Sequence, residues 1–335
     1  MTTETLLIEL GTEELPPKSL KTLATAFYDG IKNQLDSHDL SYADIKWFAS
    51  PRRLAVQVLS LTDKQADKVV EKRGPAANVA FDEQGQPSKA AMGWARSNGI
   101  TVEQAERLTT PKGEWLLHRA TVAGKTINEL VPDMVTTALN KLPIAKPMRW
   151  GAERTQFIRP VHTLTMLYGE QIIAGSALGV TSGNQVQGHR FHHQGLVTLN
   201  HANDYQAALE KAFVKVDYQT RQDEIVAQIK TAAESISAVA LIDEDLLEEV
   251  TSLVEWPVTL VGTFDKDFLN VPAEPLIYSM KDHQKNFPVT NIEGELVNKF
   301  IFVANIESKD PSQVVFGNEK VIRPRLADAE FFFKT

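Results

Sequence analysis

The spacing of hydrophobic positions predicts a mixture of helices and short strands. Residues 6–10 form a short apolar run, which predicts a buried strand that ends at Gly11. Apolar residues then recur at spacings of three and four, which puts them on one face of a helix over residues 20–36. The residues on that face are Leu20, Leu23, Phe27, Ile31 and Leu35.

Similar patterns continue to the end of the chain. Thr126 and Glu129 form a capping-box pattern at the start of a helix that Pro132 interrupts or kinks. A second helix-like pattern, over 318–335, contains Pro324 and is expected to bend or break there. Other helices are predicted at 205–213, 220–236 and 245–254, and strands at 54–61, 115–122, 161–168, 172–180, 258–262, 287–290 and 299–305.

The order of these elements predicts the fold class. Only three residues separate strands 161–168 and 172–180, which favours an antiparallel hairpin. Strands come singly and in hairpins and do not alternate regularly with helices. We therefore expect an α+β, multi-domain protein with mixed and antiparallel sheets and packed helices.

Two loop-like stretches predict the domain organisation. Residues 71–88 are rich in Gly, Pro, Ala, Asn and Gln, and 141–151 contain two prolines and a glycine. We expect one or more N-terminal α+β modules over 1–145, with a possible boundary near 71–88, and a central α+β domain over 146–317. A helix over 318–335 would then lead into a further domain, because the three adjacent phenylalanines at 331–333 point in different directions and need neighbours.

Composition excludes several classes of protein. The chain has 335 residues, no cysteine and a net charge of −8, which argues against a general nucleic-acid coat protein and excludes disulfides and thiolate metal sites. The first ten residues carry Glu4 and Glu9 where a secretory signal needs positive charge. No apolar run approaches the ~20 residues of a membrane helix. We expect a cytoplasmic protein without membrane association.

Five short segments combine cationic residues with aromatic or rigid ones, and they are the candidate RNA-binding or interface sites. They lie at 50–53, 148–160, 188–193, 280–285 and 323–325. Guanidinium groups grip phosphates and aromatic rings stack on unpaired bases. The alternative for each cation is an ion pair with Asp or Glu inside the fold. The candidates are Arg52, Arg53, Arg149, Arg154, Arg159, His189, Arg190, Lys281, His283, Lys285, Arg323 and Arg325.

The histidines and the motif search predict no local reaction centre. His189, His192, His193 and His201 lie within a short span, but neighbouring residues on a strand face opposite ways, which disfavours converging metal ligands. RNA contact or structural hydrogen bonding is the preferred interpretation. The sequence has no phosphate-binding loop, dinucleotide fingerprint, nucleophile elbow or zincin motif. We predict no catalytic residue, metal or bound cofactor in this chain.

Several strings, in a fixed order from end to end, resemble the beta chain of bacterial glycyl-tRNA synthetase. The strings are ELGTEELP at 9–16, SPRRLA at 50–55, MRWG at 148–151, RPVH at 159–162, GHRF at 188–191, VEWPV at 254–258, SMKDHQK at 279–285, GNE at 317–319 and ADAEFFF at 327–333.

The resemblance implies a component of a complex of two alpha and two beta chains that joins glycine to tRNA(Gly) with ATP. It places the ATP and glycine sites on the alpha chain and tRNA binding on the beta chain. HD-like and anticodon-binding domains would follow residue 335. The central region is similar to the editing-type domain of the phenylalanyl-tRNA synthetase beta chain.

Three functions follow for testing. The first is a tRNA-binding and assembly subunit, which alone neither activates glycine nor charges tRNA. The second is a hydrolytic editing module that uses His189, His192 or His283. The third is a scaffold for the alpha chain, in which the arginines form internal ion pairs.

Overall fold

The computed structural model describes residues 1–150 and 155–335, which form two compact units. One unit comprises residues 63–129 together with Met1, and the other comprises 2–62 and 130–335. The divisions between these units, at residues 63 and 129, do not coincide with the boundary expected near residue 145. Strands from both sides of that boundary pair in one sheet, so the chain before residue 63 and the chain after residue 129 share a core.

The unit of residues 63–129 is built around an antiparallel sheet of order β4-β6-β5. Its strands are β4 (Lys68–Ala76), β5 (Glu106–Thr110) and β6 (Gly113–Val122), and its helices are α2 (Ala77–Ala80) and α3 (Lys89–Ser97), with a 3-10 turn at Val102–Gln104. Small side chains of the helices, such as Ala80, Ala91 and Ala95, pack with Leu116 of β6 in a modest core.

The other unit contains a larger sheet of order β11-β12-β9-β1-β3-β2, with β10 also paired to β9. Its strands are β1 (Thr3–Thr12), β2 (Asp44–Ser50), β3 (Arg53–Thr62), β9 (Val161–Tyr168), β10 (Gln171–Ile172), β11 (Ser176–Ala177) and β12 (Val180–Gly183). Short pairs form apart from it, between β7 (Met148–Arg149) and β8 (Gln156–Phe157) and between β13 (Gln185–Gln187) and β14 (Leu196–Thr198).

The apolar run at 6–10 lies in β1, a central strand of this sheet. It pairs antiparallel with β3 on one side and with β9 on the other, and its residues from Thr5 onward are buried. Helix α1 (Leu20–Ser37) packs against β2 and β3 through its predicted apolar face. Leu7 packs with Phe48 and with Tyr205 of α5 (Tyr205–Lys211) in a separate cluster. A strand in such a position needs apolar residues on both faces.

The smaller sheet of this unit has the order β15-β17-β18-β16. Its strands are β15 (Val239–Ala240), β16 (Val258–Thr263), β17 (Phe287–Thr290) and β18 (Leu296–Ala304). Ile301 packs in one cluster with α6 (Tyr218–Ser235) and α7 (Glu244–Thr251), whereas Phe300 and Phe302 pack in another with α8 (Ala273–Tyr278) and α9 (Pro311–Lys334). This alternation is the period of two that a pleated strand imposes.

The remaining elements of the described chain are helical. Helix α4 (Ile127–Asn140) lies where the capping-box pattern predicts a helix, and it runs through Pro132 without the interruption expected there. Two 3-10 turns lie at Ala202–Asp204 and Lys266–Asn270, and a single turn of π-helix lies at Ser279–His283. The fold class is therefore α+β with mixed sheets and packed helices, as expected from the order of elements.

Two sequence predictions are corrected by the structure. The strand predicted at 172–180 is split, because Leu178 and Gly179 adopt left-handed backbone angles (φ 51° and 77°) and reverse the chain between β11 and β12. Strand β12 then runs parallel to β9. The last helix begins at Pro311, earlier than the predicted residue 318, since proline in a first turn loses no hydrogen bond. It continues through Pro324 without a break.

Candidate nucleic-acid interface

The segment that follows β1 brings three of the predicted cationic segments together. The backbone N–H of Glu13 donates to the Pro160 carbonyl at 2.9 Å, and that of Leu15 donates to the Pro51 carbonyl at 2.7 Å. These bonds tie the 50–53 segment and the Pro160 end of the 148–160 segment to the same end of the sheet. The 188–193 turn joins them, because the Arg52 guanidinium donates to the Gly188 carbonyl at 2.5 Å.

Two of the predicted arginines meet at Glu14 on this surface. Arg159 donates from Nε to the Glu14 backbone carbonyl at 3.1 Å, and Arg190 lies 3.5 Å from the Glu14 carboxylate. Beside them, Nε2 of His162 lies 2.9 Å from Glu13, and this hydrogen bond holds the pKa of Glu13 below its ordinary value. The side chains of His162 and Arg190 are about half exposed. The surface thus presents guanidinium donors that carboxylates and carbonyls only partly occupy.

Arg53 lies inside the protein and not on this surface. Its side chain is fully buried and contacts Glu9 and Glu255, each at 3.4 Å, and it donates from Nε to Ser50 at 2.8 Å. Arg52 adds a contact to Glu255 at 3.6 Å and is largely buried. Arg53 therefore forms internal ion pairs, which was the alternative to RNA contact for each candidate cation.

Tyr205 joins this ionic network, and Arg221 is a further buried cation that donates to backbone carbonyls. The Tyr205 hydroxyl donates to Glu9 at 2.5 Å, and burial raises the pKa of Glu9. Arg221 is also fully buried and donates to the backbone carbonyls of Thr251 and Lys215. Burial lowers the pKa of Arg221 to about 10.

Sequence reasoning missed this network. Its available signal was Glu9 itself, a carboxylate inside an apolar run that predicts a buried strand, where a charge requires a partner. The partners lie in distant segments of the chain, so the pattern around Glu9 could not identify them.

His189 is buried as well, whereas the two residues that follow it are exposed. Its Nε2 lies 2.7 Å from the Asn305 carbonyl oxygen, and its ring has no exposed surface with which to contact RNA. The next two residues, Arg190 and Phe191, project into solvent. Across residues 1–150 and 155–335, no three His, Asp or Glu side chains are arranged to hold a metal ion.

The candidate residues near the π-helix form a second cluster, separate from the surface at Glu14. Lys281 lies 3.0 Å from Asp243, and Lys285 lies 3.0 Å from Glu249. These pairs and His283 line a cavity of about 770 Å³ that further carboxylates also line. Five carboxylates line this cavity against three lysines, so it is less suited to phosphate than the surface at Glu14.

The other predicted candidates are placed as follows. Arg323 and Arg325 are exposed on α9, and the Arg325 carbonyl accepts a hydrogen bond from the Ser279 hydroxyl at 3.3 Å. Arg149 is exposed on β7. Arg154 lies outside the described residues. Of the five segments, three therefore meet at the end of β1, and the other two lie near the π-helix.

The fold and this surface define an α+β protein with a buried ionic network and a partly cationic surface at one end of its larger sheet. Among its described helices, none is both long and apolar enough to cross a membrane.

Comparison with known proteins places the chain in a family. The family model described as "Glycyl-tRNA synthetase beta subunit" matches residues 6–335. The chain is 81% identical over its whole length to the glycine–tRNA ligase beta subunit of Colwellia psychrerythraea, covering 49% of that protein. It is 59% identical to the corresponding subunit of Pseudoalteromonas atlantica, over 99% of this chain and 48% of the relative. The chain belongs to the glycyl-tRNA synthetase beta subunit family, and it spans about half the length of these relatives.

Proposed function

We propose that this chain binds tRNA(Gly) and a companion alpha chain within glycine–tRNA ligase, while the chemistry of glycine activation with ATP resides on the alpha chain. Family membership and the relatives' name, beta subunit, support a role in tRNA glycylation beside a second type of chain. A cytoplasmic complex of two alpha and two beta chains belongs to the same proposal, as does the likeness of the central region to the phenylalanyl editing-type domain.

The observation that carries the RNA-binding part is the surface at Glu14. Arg159 and Arg190 approach this one residue from different segments, and Arg159 also donates to the Ile158 carbonyl at 2.9 Å. These contacts occupy only part of the five N–H donors that each guanidinium group carries. Phosphate oxygens take such donors in bidentate fashion. Arg53 and His189 leave the set of RNA candidates, because both are fully buried.

RNA binding is tested by titrating labelled tRNA(Gly) with the chain across a salt series. Arg159→Gln and Arg190→Gln should each weaken binding and lower the slope of log affinity against log salt by about one unit. Arg119→Gln is the matched control, since Arg119 is similarly exposed and paired with Glu71 at 3.2 Å in the unit of residues 63–129. Unchanged slopes with a lower melting temperature would favour a structural role for both arginines.

The absence of local activation chemistry is tested by glycine-dependent pyrophosphate exchange. The purified chain should show exchange at background only, and a mixture with the alpha chain reports whether the reagents are competent. Robust exchange by this chain alone would refute the proposal.

The editing alternative is not favoured by the positions of its histidines. A general base needs a free lone pair near the substrate. Nδ1 of His189 and Nε2 of His192 instead accept backbone N–H groups. Release of the amino acid from mischarged tRNA(Gly), at a rate above background, would restore this alternative and direct attention to His283 in the cavity.

A further inference from the structure

The 188–193 turn is held from beneath by a buried imidazole. Nδ1 of His189 accepts the backbone N–H groups of Phe191 at 3.0 Å and His192 at 3.1 Å. Its Nε2 faces the Asn305 carbonyl at 2.7 Å, and because a carbonyl only accepts, Nε2 carries the proton. One neutral ring in one tautomer thus fixes the backbone of the turn.

Its other histidines restrain the turn from the sides. The His192 ring lies 4.6 Å from that of His189, and its Nε2 accepts the backbone N–H of Glu307 at 2.9 Å. The His193 ring covers Gly188 so closely that a Cβ on that glycine would fall 2.5 Å from the ring. Any side chain at residue 188 would therefore displace the ring or the turn.

Among the side chains of this turn, those of Arg190 and Phe191 extend furthest into solvent. Phe191 is 68% exposed, and the Arg190 side chain is 52% exposed with a single carboxylate contact at 3.5 Å. A lone exposed aromatic is ordinary. Here, however, a rigid turn presents a largely exposed aromatic ring beside a guanidinium group. The Phe191 ring lies 6.1 Å from the His189 ring, centroid to centroid, which adds to the rigidity. Little conformational freedom remains to be lost on binding, which favours recognition.

Aromatic faces stack on unpaired bases of any sequence, and neighbouring cations contact the phosphates of the same strand. We propose that Phe191 is a stacking platform for one unpaired base of bound RNA, that Arg190 contacts an adjacent phosphate, and that His189 is the positioning residue that holds both. The inference rests on the proposed RNA-binding function and specifies where and how an unpaired nucleotide is held.

Phe191 is tested in the full 335-residue chain with fluorescently labelled tRNA(Gly), and with a 12-nucleotide oligoadenylate as an unpaired probe. Phe191→Ala should weaken binding of both probes roughly 5- to 150-fold, the range found when one stacking side chain is removed. The salt slope should not change, since no phosphate contact is lost. Phe191→Trp should retain affinity, and Phe191→Leu should behave like the alanine variant. Phe316→Ala is the matched control, because Phe316 is also exposed and has Lys320 nearby.

His189 is tested by a conservative rescue. Asparagine can offer a side-chain oxygen to the N–H groups two and three residues ahead, as in an Asx turn. His189→Asn should therefore keep most of the affinity that His189→Leu loses. If His189 served only general stability, both variants would lower the melting temperature, and affinity would follow stability in each.

The possible results separate the two proposals. If the unaltered chain binds neither probe at low salt, the RNA-binding function fails, and the stacking proposal fails with it. If the chain binds both probes and Phe191→Ala binds equally well, only the stacking proposal fails. The stacking proposal is overturned if Phe191→Leu binds the probes as well as Phe191→Trp does. It is also overturned if Phe191→Ala binds both probes normally but no longer binds the alpha chain. Either result would make Phe191 an apolar contact to protein.

Discussion

Replacing Arg53 by alanine tests the buried ionic network directly. The guanidinium group contacts Glu9 and Glu255, both almost completely inaccessible to solvent. After its removal Glu255 keeps Arg52 and Ser50, whereas Glu9, among the residues that the structure describes, keeps the Tyr205 hydroxyl alone. Removing one partner of a buried pair costs about 3–5 kcal/mol, because an uncompensated charge remains inside. We expect Arg53→Ala to lower the free energy of unfolding by about that amount at pH 7.

The measurement is urea denaturation followed by tryptophan fluorescence. Arg190→Ala is the matched control: its pair with Glu14 has nearly the same length but is exposed, and should contribute at most about 1 kcal/mol. Burial already raises the pKa of Glu9, and loss of Arg53 raises it further. The defect should therefore shrink as the pH falls and Glu9 takes up a proton, and Glu9→Gln should partly relieve it at pH 7. A loss below about 1 kcal/mol, or a defect independent of pH, would refute this reasoning.

Three other positions give further predictions: two glycines whose replacement should change stability in opposite directions, and one histidine that should make stability depend on pH. Gly262→Ala should destabilise by about 1–3 kcal/mol in thermal or urea unfolding, because the new Cβ would fall 2.2 Å from the Phe300 ring. Gly317→Ala should instead stabilise by up to about 1 kcal/mol, since it lies within α9 with open space around it, and any loss would contradict this. Burial, and then the neighbouring imidazole of His189, hold the pKa of His192 below its ordinary 6.5. Its contribution to stability is therefore complete above about pH 6.5 and declines as the pH falls. His192→Gln should flatten that part of the melting-temperature profile, and an identical profile would exclude His192 as its source.

Local periodicity predicts the elements with a clear apolar face. Helix α1 and strand β1 lie where the pattern places them, because the helical spacing and the short apolar run each match one way of burying those residues. The split after residue 172 depends on two left-handed residues, one of them Leu178, which the pattern around it does not signal. Strand β2 was not predicted, since its burial pattern has no regular alternation.

Local sequence is sufficient to indicate which residue types could meet RNA and, through an ordered series of strings, which family the chain resembles. The fate of each cation depends on long-range packing: neighbouring Arg52 and Arg53 look equivalent in sequence, yet the latter is enclosed by carboxylates from residues 9 and 255. Likewise, the exposure of Phe191 follows from a turn that distant Asn305 and Glu307 hold in place. Burial and charge pairing arise between segments far apart along the chain, whereas periodicity reports only on neighbours, so the folded structure was needed to separate internal from external cations.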